Sequence, residues 1–112
     1  MSTAAPFEER DWKYLSALRE GFAEEFSRRA NHELVALLRR EDMSESDKRI
    51  AARRLSEDRQ SDFQGLFGDW RRSTMNMQVF LFRKHGLLRD DHISALSEAA
   101  QKYIEQHFEK QH

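Results

Sequence analysis

At 112 residues the chain is close to the commonest size of one domain, and dividing it would leave each part short of a core of its own. It holds no cysteine, which excludes disulfides, thiolate metal sites and a cysteine nucleophile. Nineteen Lys and Arg against twenty Asp and Glu give a net charge of -1, so bulk charge favours neither nucleic acid nor an acidic surface.

Charged residues make up 35% and hydrophobic ones 38% of the chain, which predicts a thin core and a surface suited to self-association. One proline and four glycines offer little turn punctuation, so the expected class is all-α, about four helices in a single domain over 1–112. The opening residues lack the basic and apolar regions of a secretory signal, and no apolar run approaches the ~20 residues of a membrane span. A cytoplasmic protein that does not enter a membrane is expected.

The first helix is predicted from about Glu8 to Arg40. Leu15, Leu18, Phe22, Phe26, Ala30, Leu34, Leu37 and Leu38 recur at three- and four-residue steps along one drifting stripe. A helix of this length spans ~45 Å, so it either overhangs a monomer's core or breaks near Gly21. REDMSESD then reads as a turn, with Ser44 as N-cap of a helix from about Glu45 to Gly65. That helix has a sparse apolar side (Ile50, Leu55, Phe63, Leu66) and a mixed-charge, solvated one.

Residues 68–82, GDWRRSTMNMQVFLF, alternate like a strand and then run apolar. No other segment offers a partner strand, so a helix framed by Asp69 as N-cap and Gly86 as stop is expected. Trp70, Met75, Met77, Val79, Phe80, Leu81 and Phe82 would cover most of its circumference, which predicts a central helix buried on both sides, with Arg72, Asn76 and Arg83 as its polar stripe. FRKHGLL is a strong stop, with Gly86 suited to a left-handed C′ position and Leu87 placed to meet Phe82. A last helix over 91–109, capped by Asp90 or Asp91, carries Ile93, Leu96, Ala100, Tyr103, Ile104 and Phe108 at a 3.6-residue period.

The chemistry of the side chains points away from catalysis. His32, His85, His92, His107 and His112 show no spacing of a metal site, no carboxylate lies inside an apolar run, and no nucleophile elbow or phosphate loop is present. No catalytic residue, cofactor or metal ligand is assigned. Aromatic residues do join arginines in two places, Phe67 with Trp70, Arg71 and Arg72, and Phe7 with Arg10, Trp12 and Tyr14. Trp, Tyr and Arg dominate interface hot spots. Trp12, Arg59, Trp70, Arg71 and Arg72 are therefore the candidate partner-binding residues of a homodimeric protein-interaction module. The alternative is a small DNA-associated factor that gathers Arg71, Arg72, Arg83 and Lys84 on one face, although Asp90 and Asp91 would then meet phosphates.

From Leu55 onward the order of features resembles the fluorescence recovery proteins of cyanobacteria, helical dimers that act on the orange carotenoid protein. The matching elements are Leu55-Ser56-x-x-Arg59, the step Asp69-Trp70-Arg71, the apolar run, and Lys84-x-Gly86-Leu87 before a final helix. Trp12 ahead of a long amphipathic helix is also similar. The resemblance implies a dimeric regulator in which Arg59 binds the partner, while the family's Trp and Asp on the preceding turns fall on Arg49 and Arg53. The F-x-E-x-D-W-K opening and central W-R-R-S also resemble short, uncharacterised bacterial helical proteins.

Overall fold

The computed structural model describes residues 6–109, and among them there is no strand. Five helices follow one another: α1 (Glu9–Leu38), α2 (Glu45–Phe67), α3 (Met75–Lys84), α4 (Asp90–Ser94) and α5 (Glu98–His107), with a 3-10 turn at Arg72–Thr74. The all-α expectation holds, with one helix more than expected. The chain forms two compact units, one from the segment up to Phe22 and from Trp70 onward, the other from Ala23–Asp69. α1 supplies residues to both and is continuous through Gly21.

In the first unit, Leu15, Phe22, Met75, Val79, Phe82, Leu87, Leu88, Leu96, Ala100 and Ile104 are buried. Phe82 is fully enclosed, with its ring edge-on to Phe22 at 5.2 Å and tilted against Trp70 at 5.9 Å. α3 is shorter and more one-sided than expected. Its buried residues Met75, Gln78, Val79 and Phe82 follow i, i+3, i+4, i+7, the spacing of a single helix face. Met77 is 60% exposed, and Phe80 and Leu81 are half-buried. Nor does Asp69 cap the helix. The backbone at Arg71 is extended, and the following 3-10 turn closes when the Arg71 N–H donates to Thr74 Oγ1 at 3.1 Å.

The stop at Gly86 is as expected. Its φ is 72°, the Leu87 N–H donates to the Phe82 carbonyl (2.9 Å) and the Gly86 N–H to that of Arg83 (3.0 Å), the two bonds of a Schellman motif. Gly86→Val should therefore cost about 1–2 kcal/mol, because a β-branched residue resists positive φ. Gly21 is exposed and an added Cβ would meet nothing within 4 Å, so Gly21→Ala should stabilise α1 by about 0.5–1 kcal/mol. Thermal melts of the two variants should move in opposite directions.

The expected last helix is two helices. Ser97 interrupts it with an extended backbone, and its Oγ accepts the Ala100 N–H as the N-cap of α5. The same residue is held from afar: Asp11, 1% exposed near the start of α1, accepts the Ser97 N–H at 2.8 Å and the Ser97 Oγ–H at 2.6 Å. Asp11 also accepts the Glu8 N–H at 2.8 Å, so one carboxylate ties both helix starts together. Arg83 makes a second tie. Its guanidinium donates to the Leu88 carbonyl (2.9 Å), Asp90 (2.8 Å) and Glu109 (2.7 Å), and the Glu109 hydrogen bond holds it above the usual arginine range.

Neither Asp90 nor Asp91 caps α4. The cap is Arg89, whose N–H donates to His92 Nδ1 at 3.0 Å, so the neutral ring carries its proton on Nε2. His92 is buried, edge-on to Phe22 at 5.3 Å. Burial first, then the Arg89 charge, lowers its pKa from the ordinary 6.5, with Asp91 opposing. A lowered folded pKa means that the neutral ring's contribution is complete above the unfolded value and is lost as pH falls below about 6.5. Melting temperature should decline from pH 7 toward 5.5, and His92→Asn, which keeps an acceptor but cannot titrate, should flatten that decline.

The second unit pairs the latter part of α1 with α2. Ser44 caps α2 as expected, accepting the Asp47 N–H at 3.0 Å. Phe26, Phe63 and Phe67 pack their rings at 4.8–6.3 Å. On the exposed side of α2, Arg53 pairs with Glu57 one turn on at 3.2 Å.

Candidate functional site

The proposed partner-binding residues fall into two places. Trp12, Trp70, Arg71 and Arg72 belong to the first unit and Arg59 to the second.

Trp12 and Trp70 stack face to face, with centroids 4.8 Å apart and planes 8° from parallel. The Arg72 guanidinium lies 4.7 Å from the Trp12 centroid, and that of Arg19 lies 5.2 Å from the Trp70 centroid. The result is a four-layer ladder, Arg72–Trp12–Trp70–Arg19. It is anchored by the Trp70 Nε1–H, which donates to Ser16 Oγ at 2.8 Å, and by Arg72, which donates to both oxygens of Glu9 at 2.8 and 2.6 Å. Partial burial pushes the Arg19 guanidinium below its usual range. Both indoles are half-buried, neither core nor open surface. Cation–π contacts at such sites contribute about 0.5–1 kcal/mol each and hold flat, amphipathic area ready for contact.

This ladder explains why residues 69–74 do not continue as helix. Trp70 is drawn onto Trp12 and Ser16, more than fifty residues earlier in sequence. Arg19 was absent from the candidates, though Trp12, Ser16 and Arg19 share one helix face at i, i+4, i+7, a signal present in the sequence. Arg71 is exposed beside the ladder.

In the second unit Arg59 donates to Glu33 at 2.8 Å and to Asp62 at 2.9 Å. The Glu33 hydrogen bond raises the arginine's pKa, and its reciprocal from Arg59 lowers that of the carboxyl. Arg59 edges a groove of ≈ 300 Å³ between α1 and α2, with Phe26, Leu34, Leu55 and Phe63 among its apolar lining. Val35, Leu38 and Ile50 of the same two helices are 43%, 48% and 48% exposed. No family model, curated protein or solved structure matches the chain.

Two of the four cations of the DNA alternative are engaged by carboxylates, Arg72 by Glu9 and Arg83 by Asp90 and Glu109. Among the described residues no three His, Asp or Glu gather where they could hold a metal ion, and no helix is long and apolar enough to cross a membrane. Glu25, Glu33, Asp42 and Asp91 each lie below their ordinary pKa, chiefly through a hydrogen bond from an arginine.

Proposed function

We propose that this chain is a non-enzymatic, cytoplasmic interaction module that acts as a homodimer and regulates or adapts another protein. The observation that carries this reading is the open apolar face of the second unit. Two helices expose Val35, Leu38 and Ile50 and leave Leu34, Leu55 and Phe63 only partly covered. A helix pair cannot enclose its own apolar stripes, and a second copy related by a two-fold axis completes a four-helix arrangement. The downward carboxylate shifts support the non-enzymatic part, since they mark ion pairs and not a poised acid or base. Homodimerisation and an arginine at position 59 agree with the resemblance to the fluorescence recovery proteins, whose action on a larger partner is the model for the regulatory role. The Trp12–Trp70 ladder with Arg71 and Arg72 is the surface for the regulated protein, and Arg59, at the edge of the apolar face that the second copy covers, meets that protein beside the dimer seam.

Light scattering across concentrations should return twice the 13.4 kDa chain mass. Leu38→Glu and Ile50→Glu, placed at exposed positions, should keep the helical circular dichroism and shift the mass toward monomer. A mass of 13.4 kDa throughout, or dimers undisturbed in both variants, would sink the reading. A lysate pull-down with Arg59→Glu and Arg72→Glu beside the wild type tests the partner. One protein lost from a folded variant supports it, whereas nuclease-sensitive material alone, released steeply by salt, favours DNA association.

A further inference from the structure

We infer that α4 is an acid-released latch: protonation of His92 opens residues 89–95 while the chain on either side stays in place. A helix of five residues has no stability of its own, because the cost of nucleating it exceeds what so few hydrogen bonds return. Contacts with the rest of the first unit hold it. His92 is the buried residue of α4, 8% exposed and edge-on to Phe22 of α1 at 5.3 Å. Its Nδ1 accepts the Arg89 N–H at 3.0 Å, so the ring that packs the helix also caps it. The Arg83–Asp90 pair, with its carboxylate exposed, adds a weaker contact.

The latch runs between two fixed points. Upstream, the Leu88 N–H donates to the Phe82 carbonyl at 3.1 Å, and the Leu88 carbonyl accepts from Arg83 at 2.9 Å. Downstream, Ser97 is bound twice by Asp11, and the Leu96 carbonyl accepts from Gln101 Nε2 at 2.9 Å. Leu88, Leu96 and Ser97 are buried, whereas Arg89, Asp90, Asp91, Ser94 and Ala95 are exposed. The segment between the two points can let go without disturbing them. The proton is what releases it. A neutral imidazole accepts at one nitrogen, but an imidazolium can only donate, so protonation sets two donors against each other at the cap. It also leaves a charge where most of its water has been removed. Burial, then the Arg89 charge, disfavour the protonated ring and Asp91 favours it, while α1 meets it with the uncharged Phe22. The latch is therefore closed above the ordinary histidine value of about 6.5 and is released as pH falls below it. Opening uncovers Phe22, which the neutral protein keeps 5% exposed. Such a latch is local, unlike a general loss of stability, and it is independent of the self-association proposed for the second unit.

Amide hydrogen exchange of the whole chain at pH 7.5 and 5.5, each over a series of low urea concentrations, tests the latch. The Ile93 and Ala95 N–H groups, bonded to the Arg89 and His92 carbonyls, should exchange through an opening nearly insensitive to urea. Their protection factors should fall by up to about tenfold at pH 5.5, the change expected one pH unit below an ordinary histidine. The Leu88 and Ser97 N–H groups should exchange only through the urea-sensitive unfolding of the unit. In NMR of the wild type, the Arg89 amide should titrate together with the His92 ring. His92→Asn, which can still accept the Arg89 N–H, should hold its Ile93 and Ala95 protection between the two pH values. Equal urea dependence at Ile93 and Ser97, wild-type protection unchanged by pH, an Arg89 amide that does not follow the ring, or a pH response retained in a folded His92→Asn would each overturn the assignment. The first three need only the wild type, so the test stands even where the variant does not fold.

Discussion

Phe82→Ala should lower stability by about 4 kcal/mol, the largest loss expected from a single apolar truncation in this chain. The ring is fully enclosed and meets Phe22 edge-on and Trp70 at a tilt, so its removal leaves a cavity bordered by two rings that cannot both move in. Those two rings come from α1 and from the segment ahead of α3, so one truncation loosens the packing of α3 against both. The melting temperature should fall by roughly 10–20 °C. Phe80→Ala is the control: it alters the same helix at a half-buried position and should cost about half as much. Equal losses at the two positions would show that α3 is not buried on one face.

Asp11→Ala should cost about 3 kcal/mol, although it removes no apolar surface. Its carboxylate is the common acceptor of the Ser97 N–H, the Ser97 Oγ–H and the Glu8 N–H, and its loss strands donors that are buried with it. Ser97→Ala should cost less, since the backbone N–H at that position can still reach Asp11. The two losses should not add. A double-mutant cycle should give a coupling of about 1–2 kcal/mol, and a coupling near zero would reduce Asp11 to a local helix cap.

These two residues also divide what was legible from what was not. Phe82 stands in an apolar run ahead of a Gly86 stop, and both its helix and its burial follow from periodicity and cap chemistry. Asp11 reads in sequence as one more acid in a first helical turn, and nothing near it names Ser97 as its partner, 86 residues away. The Trp12–Trp70 ladder is similar. Both tryptophans stood out as candidates beside arginines, but their stacking on each other, and the recruitment of Arg19 and Ser16, depend on a contact across more than fifty residues.

By itself the sequence determined the all-α class, the start of α2 at its Ser44 cap, the long α1 and the left-handed stop at Gly86. Each rests on interactions within a few residues, where spacing and side-chain type suffice. Only the tertiary structure decided where local preference yields. The apolar run of α3 buries a single face because the first unit packs one side of it, leaving Met77 in the open. The helical pattern over 69–74 gives way because Trp70 gains a stacking partner and a hydrogen bond elsewhere. The last amphipathic segment breaks at Ser97 because a buried carboxylate offers two hydrogen bonds there, and continuing the helix would forfeit them.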